Sequence, residues 1–191
     1  MKRDQSQEER IAFAGKIGEV VQTAQPDGRV FERYRRSPGV RLVIVSADQK
    51  ILMSKEFRTE SRLDDLRLPG GKVCDTLEEY HSLLESGADI VEAAKQAAIK
   101  EAREETGLEV RTPELIVKAV AGATVEWDLY YFLFRDYEEN EHGQQLENGE
   151  DIETVWMSTQ EIRDAIAAGQ MHEWRSVGVL FGKVLPLLNA S

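Results

Sequence analysis

Apolar residues change their spacing several times along the chain, and each change marks an element. Residues 40–46 are β-branched and largely apolar on both faces, which predicts a buried strand. A tight Asp48-Gln49 connection leads to a second strand over 51–53. Upstream, residues 18–24 and 29–35 flank Gln25-Pro26-Asp27-Gly28, a turn signal that predicts a β-hairpin. Residues 1–15 read as a polar lead-in with room for a short helix, and 66–73 as an extended segment broken by the loop signal Pro69-Gly70-Gly71. Leu77, Tyr80, Leu83 and Leu84 fall at helical spacing, predicting a short amphipathic helix within 74–87. Asp89 and Glu92 are spaced as a capping box, and the helix they open runs to about Thr106. Its Ala93, Ala94, Ala97 and Ala98 allow close packing on a sheet.

Strands follow at 114–120 and 127–135, the second rich in aromatics. Residues 136–153 form an acidic loop before a short strand at 155–157. Helices are predicted at 159–168 and 174–188, with Val177, Leu180, Val184 and Leu188 on one face of the second. Without repeats or a linker, 1–191 reads as one domain, with 1–39 as lead-in and hairpin. Strands and helices are mixed and antiparallel hairpins dominate, so the class is α+β.

Composition narrows the function. At 191 residues and 41% hydrophobic content, the chain can build a core. No apolar run approaches the ~20 residues that span a bilayer, so no membrane partner is expected. The polar N-terminus does not resemble a secretory signal, and the single cysteine, Cys74, rules out an intrachain disulfide. A cytoplasmic location is expected. The net charge of −11 argues against a long nucleic-acid partner, which wants a basic stripe. It leaves room for small phosphorylated ligands held through metal ions.

The candidate chemistry lies in residues 100–108, Lys-Glu-Ala-Arg-Glu-Glu-Thr-Gly-Leu. Glu101, Glu104 and Glu105 are spaced i, i+3, i+4, so a helix places them on one face. Gly107 suits a left-handed C-cap, which puts the acids at the negative end of the helix dipole. Like charges at i, i+4 repel by about 0.2–0.5 kcal/mol per pair. Two readings stand: a solvated acidic face, or a site for a hard divalent cation.

With Gly70-Gly71 and Glu92 ahead of it, this stretch resembles the Nudix box: Gly, five residues, Glu, seven residues, then Arg-Glu-aliphatic-any-Glu-Glu-any-Gly-aliphatic. Seven residues do separate Glu92 from Lys100. Lys100 stands in place of Arg, and an insertion over 74–88 lengthens the spacing from Gly71 to Glu92. Residues 51–58 are similar to the strand and Gln-aromatic-Arg segment of ADP-ribose and nucleotide-sugar pyrophosphatases, with Glu56 in the Gln position. Residues 68–73 resemble the box entry of that subgroup, and the N-terminal hairpin, 36–40 and 146–152 also fit it.

The resemblance implies a Nudix α/β/α sandwich with a mixed sheet and N-terminal hairpin, often in a homodimer that exchanges those hairpins. It implies Mg²⁺-dependent hydrolysis, with Mn²⁺ as the other ion, of a nucleoside diphosphate derivative such as ADP-ribose or a nucleotide sugar. Glu101 and Glu105 would be the strongest metal ligands, Glu104 a third or a water-mediated one, and the Gly70 carbonyl a backbone ligand. Glu92 would orient Lys100 or touch a metal, and Lys100 would orient Glu101 less rigidly than Arg. Glu150, and after it Glu147, would supply the general base or a ligand. Arg58, Gly71 and Glu126 are the substrate candidates. His142 reads as a solvated residue. The insertion could be a lid, a dimer contact or an inert surface helix, the first two being favoured because its apolar stripe needs cover.

ADP-ribose enzymes of the subgroup often carry a Pro past the box. Here residues 121–126 have none, which leaves nucleotide sugars or a broad substrate range. The alternatives are a non-catalytic nucleotide sensor of the same fold, prompted by Lys100 and the split box, and a dNTP-cleaning enzyme.

Overall fold

A computed structural model describes residues 9–58, 62–147, 149 and 151–189, with the side chains of Arg58 and Asn189 left out. The hairpin appears where the turn signal placed it. Strand β2 (Gly18–Ala24) pairs with β3 (Val30–Arg36) in unbroken antiparallel register from Gly18↔Arg36 to Ala24↔Val30. The lead-in differs from the sequence reading: Glu9–Ala14 is a strand, β1, paired antiparallel with β2. A segment this short nucleates a helix poorly, whereas the open edge of β2 offers it backbone partners at once. On the other side β3 pairs in parallel with β9 (Val125–Glu126).

The centre of the molecule is strand β4 (Gly39–Ile44), every residue buried, lying parallel to β10 (Leu129–Phe134) in six consecutive pairs. β8 (Glu114–Ala119) flanks β10 antiparallel. A further antiparallel set joins β12 (Ile152–Met157), β5 (Ile51–Arg58) and β6 (Leu63–Arg67). Strand alternation divides the core into two layers. Val40, Leu42 and Ile44 face the helix α2 (Ile90–Glu101), where Ala94, Ala97 and Ala98 pack with Phe132 and Phe134. Val43 and Val45 face the opposite layer with Tyr131, Ile162, Leu180 and Leu185. Those last three residues come from the C-terminal helices, which include α3 (Thr159–Ala167) and α4 (Trp174–Val179). The result is the expected α+β arrangement, a mixed sheet between helical layers.

Three sequence expectations change. Asp89 caps α2 by accepting from Val91 N, but Glu92 does not complete a capping box. Its oxygens accept instead from Gln96 Nε2 (3.1 Å) and Lys95 Nζ (3.3 Å). The helix does not continue as α to Thr106: Ala102–Thr106 is a π-turn, a form that recurs at functional sites. And the acidic 136–153 region is not all loop, since Asp136–Glu139 forms strand β11 with Leu108–Arg111, β7. Among the described residues, no helix is long and apolar enough to cross a membrane.

The insertion forms helix α1 (Leu77–Glu85), capped by a Thr76–Glu79 box, with Leu77 and Tyr80 buried within the chain. It docks on the N-terminal sheet through Glu19, only 1% exposed. Glu19 Oε1 accepts from Arg35 Nε (2.6 Å) and meets His81 Nε2 at 2.9 Å. Burial alone would raise the Glu19 carboxyl, but the hydrogen bonds from His81 and Arg35 outweigh it and hold it below 4.5. A carboxyl so depressed contributes stability above its unfolded value and loses it as pH falls through the folded one. Glu19→Gln is therefore expected to lose about 1–3 kcal/mol at neutral pH. The deficit should begin to shrink as pH falls below the ordinary carboxyl value of 4.5, and close only as pH passes through the lower folded value, where the wild-type carboxyl becomes neutral too. Denaturant melts at several pH values check this, and a deficit independent of pH would contradict it.

Candidate active site

Two of the three box acids close on the glycine loop. Gly70 N donates to Glu105 Oε2 at 2.6 Å. Beside it, a Cβ added at Gly71 would sit 2.0 Å from Glu101 Oε1, so any larger residue there would push that carboxylate aside. The loop itself is strung along β4, with Val40 N donating to Gly71 O (3.0 Å) and Leu42 N to Pro69 O (2.9 Å). Glu101 and Glu105 thus meet a backbone held by a strand that is buried along its whole length.

The third acid, Glu104, pairs with Lys100 Nζ at 3.3 Å. Partial burial would lower the Lys100 ammonium, but Glu104, Asp75 and Glu101 outweigh it and hold its pKa above the ordinary value. Lys100 thus meets Glu104 directly, and Glu101 adds to the negative field around it. Arg103 faces away to Glu109.

Gly107 ends the π-turn at φ 68°, the left-handed conformation in which glycine carries no steric penalty. A Cβ there would also strike Gly143 and Gln144 backbone at 2.9 Å, so the 140–147 loop presses on the end of the acidic helix. Gln145 N donates to Glu104 O (2.8 Å), and Gln144 Nε2 donates to both Glu105 O and Ile152 O. The loop that carries Glu147, itself exposed, is tied in this way to the backbone of the acids. His142 is exposed in the same loop, 3.4 Å from Glu141.

Other expected residues lie elsewhere. Glu92 is exposed on the first turn of α2, bonded to Lys95 and Gln96. Glu126 is on β9 and accepts from Arg33 Nε at 2.8 Å, which ties it to the N-terminal sheet. Glu150 and the Arg58 side chain lie outside the described residues. The Gly70 carbonyl, the expected backbone ligand, accepts from Arg41 Nη1 at 3.1 Å and keeps a second lone pair.

Arg41, Glu173, Gln144 and Gln145 went unread in the sequence. Only Arg41 left a trace there, as the single charge inside the apolar run 40–46. It is 6% exposed, and its Nε donates to Glu173 Oε2 at 2.8 Å. Burial would lower the Arg41 guanidinium, but Glu173 outweighs it, with smaller contributions from Tyr131 and Glu105, and the net direction is up.

The donor set at the helix end is all oxygen, which suits a hard cation. Among the described residues, no three Asp, Glu, His or Cys side chains are gathered closely enough to hold an ion by themselves. Mg²⁺ does not need such a cage, because it is commonly held by one or two carboxylates, waters and the phosphates of a substrate. The pair Glu101 and Glu105 fits that requirement.

A family model described as NUDIX domain matches residues 35–176 of the 191. The chain belongs to the Nudix family. Its class, hydrolysis of phosphoric anhydride bonds, is the one the box implies. A solved structure described as an ADP compounds hydrolase is similar over 95% of this chain and 94% of its own, with a TM-score of 0.64 at 18% identity. That likeness is one of fold. No curated relative matches the chain.

Proposed function

We propose that this Nudix enzyme is a Mg²⁺-dependent pyrophosphohydrolase of nucleoside diphosphate derivatives, ADP-ribose or a nucleotide sugar. The observation that carries the reading is the contact of Glu101 and Glu105 with the Gly70-Gly71 loop. Two acids at the unfavourable end of a helix, both turned onto the Gly70-Gly71 backbone, suit a bound cation better than a solvated face. The solved structure of similar fold is described as acting on ADP compounds, which supports the choice of substrate class.

Glu101 and Glu105 would hold the ion, with Glu104 directly or through water and the Gly70 carbonyl by its second lone pair. When bound, Mg²⁺ would neutralise phosphate charge and make a coordinated water more acidic. The chain's own part is to orient and to move a proton. A water oxygen forms a bond to phosphorus, the bridging P–O bond breaks, and two phosphate monoesters leave. Glu150, or failing it Glu147, accepts the water proton. Arg58 contributes a fork for a phosphate. Gly71 leaves space beside Glu101, and Glu126 lies near the N-terminal sheet as a second-rank substrate contact.

A second copy of the chain is the proposed partner. The N-terminal segment exposes Ile11, Phe13, Ile17, Val30 and Phe31, apolar side chains that a second copy could help to cover. A reducing, cytoplasmic setting fits the lone Cys74.

The test is a screen of nucleoside diphosphate derivatives with Mg²⁺ and with Mn²⁺, read by phosphate release after phosphatase treatment. A nucleoside monophosphate from ADP-ribose or a sugar nucleotide is the expected product. Tight binding without turnover across the whole panel would overturn the reading and favour a sensor.

A further inference from the structure

Arg41 is out of place on physical grounds. Alternate positions of β4 face the C-terminal layer, where its neighbour Val43 joins an apolar core. Arg41 brings a charge into that layer, matched by Glu173 from a segment 132 residues away. Removing such a pair from water is costly, and buried pairs of this kind often add nothing to stability relative to apolar side chains. Glu173 Oε2 also accepts from Ser176 Oγ (2.9 Å), while Oε1 is buried without a hydrogen bond, 3.6 Å from Arg175 Nε. A core selected only for stability would not leave a carboxylate oxygen in that condition.

Arg41 also reaches the glycine loop: its Nη1 donates to the Gly70 carbonyl (3.1 Å) as well as to Val40 O (3.0 Å). The N–H of the same glycine donates to Glu105. Gly70 is thus held on its carbonyl side by a buried cation and on its amide side by a box acid. The trans peptide is planar, so fixing the Gly70 carbonyl also fixes the direction of the Gly71 N–H. Gly71 is the residue against which Glu101 rests.

We propose that Arg41, anchored by Glu173, is a positioning residue that sets the Gly70-Gly71 backbone and, through it, the placement of Glu105 and Glu101. This rests on the cation-binding reading of those two acids. Arg41 touches neither substrate nor ion. It works as outer-shell partners do, by restricting the ligands, and such partners typically change metal affinity or activity by about 10–100-fold.

The experiment measures Mn²⁺ binding to the whole protein by calorimetry, alongside kcat, KM and melting temperature. The variants are Arg41→Lys, the apolar double Arg41→Met/Glu173→Leu, and Glu105→Gln as reference. The double replacement leaves no lone buried charge and is expected to remain folded. Its Mn²⁺ affinity and kcat should fall about 10–100-fold, with KM changed less. Arg41→Lys keeps the charge but loses the fork, and should show a smaller loss in the same direction. If Glu105→Gln loses Mn²⁺ while both Arg41 variants, folded, bind it and turn over as the wild type does, the positioning role is wrong and the cation site stands. If the wild type takes up no Mn²⁺, both fall together. Should the double variant fail to fold, Arg41→Lys decides alone: wild-type binding and kcat would overturn the proposal.

Discussion

Glu105→Gln is expected to lower kcat by at least about 10²–10³-fold while leaving the fold intact. Glutamine has nearly the shape of glutamate, and its side-chain oxygen can still accept from Gly70 N, which lies 2.6 Å from Glu105 Oε2 in the native protein. What disappears is a full negative charge at the place where a cation would sit. Loss of an outer partner to a metal ligand already brings a 10–100-fold defect, roughly, so loss of a ligand should exceed it.

The effect on stability should differ in kind. Replacing a charge-assisted hydrogen bond by a neutral one weakens it by about 1 kcal/mol. Removing an anion from the negative end of the helix, beside Glu101 and Glu104, returns roughly 0.3–1 kcal/mol. The two nearly cancel, so the melting temperature should move by only a few degrees while turnover collapses. Steady-state kinetics and a thermal melt on the same preparation check this. A variant that keeps its activity would remove the basis for a metal site here. One that loses activity and stability together would point to a structural carboxylate.

Gly71→Ala should have the second-largest effect, by a different route. The new Cβ would lie 2.0 Å from Glu101 Oε1 and 2.4 Å from Glu101 Cδ. Neither distance is tolerable, but both atoms belong to the end of a long side chain that can swing aside. The fold is therefore expected to survive with Glu101 displaced. A catalytic group moved by about 1 Å can lose about a hundredfold in rate. Activity should fall by that order, with Mn²⁺ binding weakened and far-UV circular dichroism unchanged. Wild-type kinetics in this variant would mean that Glu101 does not act from its position against the loop.

Lys100 shows how a single substitution was half legible. In the sequence it stands in the Arg position of the box, which implies looser orientation of Glu101. The fold gives it a direct partner in Glu104 at 3.3 Å. That pair is local, i, i+4 along the chain, but Asp75 from the insertion adds to the same negative field, which only the folded molecule brings there.

The hairpin, the buried β4, the helix leading to the acids and the glycine that ends it were readable from the chain itself, but not the π-turn that carries Glu104 and Glu105. Each readable element follows from a local rule: turn chemistry, a continuous apolar run, a period of nearly four, and a left-handed cap. The i, i+3, i+4 spacing of the acids was readable for the same reason, while the box itself was read from its resemblance to the family motif. The folded molecule alone decided that residues 9–14 become a strand, that Glu92 turns to Gln96, that Gly71 leaves space for Glu101, and that Arg41 finds Glu173 across 132 residues. Those outcomes depend on groups far apart along the chain, and no periodicity records which distant segment will supply a donor, an acceptor or an open sheet edge.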